Sequence, residues 1–185
     1  YVRIASMAED LTTVGALLDL KYGKSLPAAQ RRQGNVPVYG SGGIGGFHDQ
    51  ALVVGPGIVV GRKGTVGSVY WAQGDFFPID TTFFVEMRQK EIPLEFAFFA
   101  LKNLGLASMN SDSAVPGLNR ANALALPVKI PRVEEIRRFA QGAGQLFELR
   151  QSLLVQSKGL ADLRDALLPG LISGEICVRD AEKAV

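Results

Sequence analysis

The sequence predicts an α+β fold in two parts: a strand-rich domain with short helices over residues 1–131, then a long coiled-coil-forming α-helix and tail over 132–185. Three observations carry this. Up to about residue 131 the pattern switches every few residues between short apolar runs and Gly, Pro or Asn, the rhythm of strands and turns. Beyond it, no proline interrupts the stretch from Val133 to Leu168. Across that stretch Phe139, Leu146, Leu153, Leu160 and Leu167 recur every seven residues, the period of a helix that buries a narrow stripe against another helix.

A length of 185 residues suits one sizeable domain plus an appendage. Hydrophobic residues at 47% and charged residues at 21% give a globular balance, enough for a packed core. The net charge of +2 does not announce a polyanionic partner, so the distribution matters more. Lys21, Lys24, Arg31 and Arg32 fall in a loop-like stretch without an acidic residue, whereas 131–185 carries eight basic and eight acidic residues. Cys177 is the only cysteine, which excludes an internal disulfide framework and a Cys-based zinc site within this chain. A reducing, cytoplasmic location is therefore expected. No signal-like segment opens the sequence, and no apolar run approaches the roughly 18 residues of a membrane span. Tyr1 stands where a methionine would open a natural chain, so a trimmed chain or a fragment is expected.

Taken in order, residues 13–20 read as a helix, and VPVY at 36–39 as a short strand before a tract of five glycines and one serine over 40–46. ALVV, GIVVG, TVGSVYW and TTFFVEM read as strands, the last two because β-branched and aromatic residues dominate them. LEFAFFALKNL at 94–104 is too long and too apolar for a strand and lacks β-branched residues, so it reads as a helix. The heptad helix of 133–168 would measure on the order of 54 Å at about 1.5 Å per residue. A domain of about 130 residues has a radius of gyration of roughly 14 Å. Much of the helix is expected to project and meet a partner helix. The alternative, a helix packed on its own domain, would usually show a wider apolar stripe. Pro169 and Gly170 are expected to stop it, with a further turn at Gly174.

Catalytic constellations are sparse. His48 is the only histidine, and neighbouring Asp49 would face the opposite side of an extended strand, a poor arrangement for a Ser-His-Asp site with the nearby Ser41. One His, one Cys and scattered carboxylates offer no metal-ligand cluster at the usual spacings. Gly40, Gly42 and Gly45 match the GxGxxG spacing, but strand and turn follow where a dinucleotide fold needs a helix. The tract also lacks the Lys-Ser or Lys-Thr that ends a nucleoside-triphosphate loop. The loop GIVVGRKGTVGSVYW sets Arg62, Lys63 and Thr65 on a glycine turn between strand-like runs. These side chains suit phosphates, or base edges through bidentate arginine geometry; a hairpin with solvated cations is the plainer alternative.

The ordered series YGKSLP, VPVYGSGGIGG, GPGIVVGRKGTVGSVYW, FPIDTTFFVE and VPGLNRANALALPVKIP resembles one target-recognition domain of the specificity subunits of type I restriction-modification enzymes. The heptad helix ending in LADLRDALLPGLISGEI is similar to that family's helical spacer. The resemblance implies a protein with no catalysis and no cofactor of its own. It implies double-stranded DNA as a partner, with modification subunits that methylate adenine using S-adenosylmethionine and restriction subunits that use ATP and Mg. The family reads a split DNA sequence through two such domains held apart by two antiparallel helices. This sequence contains one of each, so it is half of a longer chain or a half-subunit that forms a homodimer through its helix. Glu135-Ile136 stands where the family commonly has Glu-Gln. A different reading is the recognition part of a fused, single-chain restriction-methylation enzyme of the type IIG kind; a third is a helical adaptor with no DNA role.

On this resemblance, Lys24, Arg31 and Arg32 are candidates for phosphate contacts, and Arg62, Lys63 and Thr65 form a second group. Asn119 and Arg120 supply the amide and guanidinium best suited to adenine and guanine edges. Tyr39, Ser41 and His48 lie in or beside the glycine tract and could reach a groove. Phe139, Leu146, Leu153, Leu160 and Leu167 form the expected helix-pairing seam.

Overall fold

The computed structural model describes residues 10–109 and 117–176; Cys177 lies outside them. In chain order the elements are β1 (Asp10–Thr13), α1 (Val14–Leu17), β2 (Leu18–Tyr22), β3 (Val36–Gly40), β4 (Gly43–His48), β5 (Gly57–Gly61), β6 (Val69–Ala72), β7 (Phe77–Pro78), β8 (Thr82–Met87), α2 (Leu94–Asn103), α3 (Arg120–Ala125), β9 (Pro127–Ile130) and α4 (Val133–Ser173). Short 3-10 turns occupy Ala28–Gln30 and Leu106–Met109. The chain is thus strand-rich with short helices and ends in one long helix, the α+β class the sequence predicts. It divides into two compact units, Tyr1–Ala143 and Gly144–Val185.

Three small sheets build the first unit. A four-stranded sheet runs in the order β2-β8-β5-β6, a three-stranded sheet in the order β4-β3-β7, and β1 pairs with β9. The sequence GIVVG has no polar alternation, which suits a strand covered on both faces. Every residue of β5 is buried accordingly, between antiparallel partners β6 and β8. Gly61 ends this strand because a side chain there would meet the Thr65 carbonyl at 2.2 Å. Tyr39, Val59, Ala72 and Phe76 pack together between the two larger sheets. α2 lies over the four-stranded sheet, where Phe98 meets Trp71 edge-on at 5.9 Å.

Four expectations need correction. ALVV at 51–54 is not a strand: only Val53 pairs there, in an isolated bridge to Phe76. Residues 13–20 are not one helix: only Val14–Leu17 is helical, and Leu18–Tyr22 is a strand. Val14, Leu17 and Leu18 fall at helical spacing, but pairing of Leu18 to Tyr22 with Met87 to Phe83 decides the state of the second half. TVGSVYW is a strand only from Val69; residues 65–68 belong to the turn that joins β5 to β6. Finally, Pro169 and Gly170 do not stop α4, which continues to Ser173 before Gly174 turns at φ +78°. A proline removes one helical hydrogen bond, and the carbonyl it deprives, on exposed Asp165, is open to hydration.

The first turns of α4 belong to the first unit. Ile136, Ala140 and Ala143 are buried there, and Phe139 meets Phe99 edge-on at 5.3 Å. Phe139 is therefore a core contact of its own unit and not the start of the pairing seam. Within the second unit the helical surface is bare: Leu146, Leu149, Leu153, Leu160 and Leu163 are all exposed, and Leu167 is half-buried.

Candidate nucleic-acid interface

The candidate residues sort into three groups. The first surrounds the turn between β3 and β4. The Ser41 carbonyl accepts hydrogen bonds from the Ser68 hydroxyl at 2.6 Å and the Tyr70 hydroxyl at 3.2 Å, while its Oγ accepts the Thr65 backbone N–H at 3.4 Å. Ser41 and Thr65, 24 residues apart in sequence, thus meet where two glycine turns touch, with the Thr65 side chain exposed. The Arg62 guanidinium lies 5.3 Å from the Tyr22 ring and 5.9 Å from the Phe83 ring, and donates from Nε and Nη2 to the Asp80 carbonyl. Stacking and two hydrogen bonds fix its orientation. Lys63 is exposed, its backbone held by the Thr81 carbonyl and by a bridge to Gly117.

The second group straps the basic loop onto β4. Arg31 Nη1 donates to the Gly45 carbonyl at 2.6 Å, and Arg32 Nε pairs with Asp49 Oδ2 at 2.8 Å. The Arg32 backbone N–H donates to His48 Nδ1 at 3.0 Å. Nδ1 therefore carries no proton, and the 3.3 Å approach of Asp49 Oδ1 to it is not an ion pair. His48 is only 4% exposed, with its ring against Phe77 at 5.8 Å. It anchors the loop from inside and offers no face to a groove, a correction to the expected contact. Tyr39 is likewise corrected: at 6% exposure it belongs to the core. Lys24 remains exposed, its backbone N–H donated to the Pro78 carbonyl.

The third group sits at the start of α3. Asn119 caps the helix, its Oδ1 accepting the Asn122 backbone N–H at 3.1 Å, so its amide is committed locally. Arg120 donates from Nε to the Leu20 carbonyl at 2.7 Å and pairs through Nη2 with Asp19. Asp19 also meets Lys21 at 3.2 Å and Arg88 at 3.5 Å. Burial pushes the Asp19 carboxyl up, but Lys21, the Leu20 N–H and Arg120 together outweigh it and hold the group below its ordinary value. Lys21 is raised, chiefly by the hydrogen bond it donates to Asp19. Arg120 is thus a structural cross-link between α3 and β2 and not a base reader.

Lys24, Lys63 and Thr65 remain as exposed polar groups, with Arg31 half-exposed. Sequence reasoning missed Ile44 and Phe47, two large apolar side chains exposed on β4. Among the described residues, no group of three or more His, Cys, Asp or Glu could hold a metal ion. No helix there is long and apolar enough to cross a membrane.

Solved structures with this arrangement exist. The S subunit of a type I restriction-modification system from M. genitalium superposes with a TM-score of 0.80 at 20% identity, over 94% of this chain and 48% of that one. This chain folds as one half of a type I S subunit. The HsdS subunit from Thermoanaerobacter tengcongensis matches with a TM-score of 0.55 at 16% identity, over 95% of this chain and 48% of that one. A type I R-M structure concerned with complex assembly and conformational transition matches at 0.59 and 15% identity, over 92% and 47%. The chain therefore spans about half the length of the S-subunit structures it matches. No protein-family model and no curated protein sequence matches it.

Proposed function

We propose that the chain is the non-catalytic, sequence-specific DNA-binding component of a type I restriction-modification complex. It directs modification and restriction subunits to a bipartite target, with S-adenosylmethionine, ATP and Mg serving those partners. The likeness to an S subunit over 94% of the chain, at half that subunit's length, carries this reading. The first unit reads duplex DNA, with Lys24, Arg31, Lys63 and Thr65 toward phosphates. The second unit pairs with another helix through Leu146, Leu153, Leu160 and Leu167. That helix comes from a second copy or from a second half joined in the same polypeptide. The exposed leucines support such pairing, because water-facing apolar stripes of this period are stable when two helices cover each other.

The test is to co-express the chain with its neighbouring modification subunit and map methylated adenines across a genome. A bipartite motif is the expected result, and a palindromic bipartite motif identifies a symmetric pair of identical halves. An assembled complex that methylates no sequence would overturn the reading.

A further inference from the structure

Ile44 and Phe47 are 55% and 56% exposed on β4, an edge strand of the three-stranded sheet. Three positions apart, they would face opposite sides of a regular strand. The register shows otherwise. Pro37 stands opposite Phe47 and Tyr39 opposite Ile44, so residues 44–47 of β4 match residues 37–39 of β3, with a shift between. One extra residue bulges out of β4, and Gly46 takes it up at φ +140°. Directly opposed residues share a face, and so do Pro37 and Tyr39. Ile44 and Phe47 therefore emerge together on one face.

Between them, Gly45 is exposed, and a Cβ there would meet nothing within 4 Å. Among the described residues no packing requires this glycine, and a strand glycine suits a site where another molecule approaches the backbone closely. Arg31 brings a cation to the same bulge through its bond to the Gly45 carbonyl, and makes no ion pair among the described residues. From Lys21 to Phe47 the sequence has four basic residues and no acidic one. A bare apolar pair, a glycine gap and an unneutralised cation suit an anionic polymer with apolar points at regular spacing.

We propose that the bulge at Gly45 and Gly46 makes Ile44 and Phe47 a paired reader of thymine methyl groups in the major groove, with Arg31 toward the adjoining phosphate. This rests on the DNA-recognition reading above. The thymine methyl is the apolar feature of a base edge, and only the major groove displays it. The two side chains are at most about 10 Å apart at roughly 3.3 Å per residue. They address thymines within about three base pairs, at roughly 3.4 Å per pair.

The test is a selection by the full chain from a random duplex library, made once with thymine and once with uracil, which lacks only the methyl. The wild type should enrich a sequence with thymines inside a three-base-pair window. In the uracil library preference at those positions should fall about fourfold per methyl. The I44A/F47A variant should lose preference at the same positions and become indifferent to uracil, while keeping the rest of the sequence. F47L should retain most of the preference. Both side chains are more than half exposed, so far-ultraviolet circular dichroism should match wild type. A variant that keeps the wild-type sequence and thymine-to-uracil ratio overturns the proposal, as it would if this pair docked a protein. Loss of preference in the variant with no uracil effect in the wild type also overturns it, since a wedge between bases ignores the methyl. A wild type that selects no sequence overturns the DNA reading itself, and this proposal with it.

Discussion

Phe139 and Leu146 occupy the same heptad position of one helix, a single repeat apart, and meet opposite fates. Phe139 rests against Phe99 in the first unit, while Leu146 in the second is 66% exposed. A seven-residue period records which side of a helix is apolar, not which chain supplies the cover. The neighbours supply the rest. Ala140 and Ala143 are small and buried, letting the first turns of α4 lie close to their own unit, whereas residues 151–160 are exposed without exception. The near turns are domain core and the far turns are exposed.

The largest effect should come from the far turns. Replacing Leu153 and Leu160 by Glu should weaken self-association by more than about a hundredfold, or roughly 3 kcal/mol. Sedimentation velocity reads this directly, and thermal unfolding of the first unit should not move. If the variant sediments as the wild type does, the far turns are not the interface. The near turns should behave in reverse. Ile136→Ala empties a buried site and should destabilise the first unit by about 2–4 kcal/mol in urea titration, without altering the seam.

A polar anchor of the first unit gives a smaller effect. Asp19→Asn weakens the charge-assisted bonds to Lys21 and Arg120, which should cost about 1–3 kcal/mol. The carboxyl is held below its unfolded value, so its stabilisation is complete above about pH 3.9 and is lost as pH falls through the folded value. A wild-type stability profile that stays flat on acidification while Asp19→Asn matches it would remove Asp19 from the account. Smallest of all is Lys158→Ala. It breaks an exposed i,i+4 pair with Asp162 in the second unit and should cost only about 0.3–0.5 kcal/mol of helix stability, measured by circular dichroism.

The large divisions of the fold are legible in the sequence because they rest on period. GIVVG, TTFFVEM and the leucine heptads each carry one dominant pattern, and the structure has two strands and a helix there. What stays hidden depends on partners distant in sequence. VGALLDL becomes helix and then strand because β8 pairs with its second half. The candidate site is legible as a set of loops but not as a set of contacts. The pattern of VPVYGSGGIGGFH cannot tell that Tyr39 and His48 are buried while Ile44 and Phe47 are exposed, because packing against distant residues covers the first two, and one bulged residue brings the last two to the same face. Arg120 reads as a base contact until Asp19, 101 residues earlier, claims it.

The pairing of β1 with β9 has a consequence of its own. Asp10 stands opposite Ile130 and Thr13 opposite Pro127, so the segment between β1 and β9 starts and ends on adjacent antiparallel tracks, just before α4 begins. Everything between is a closed excursion from those tracks. Such a segment can be cut out and replaced by another of similar ends without rerouting the chain that follows. Geometry of this kind makes the segment exchangeable: a graft joined at the two strands would leave the start of α4 where it is.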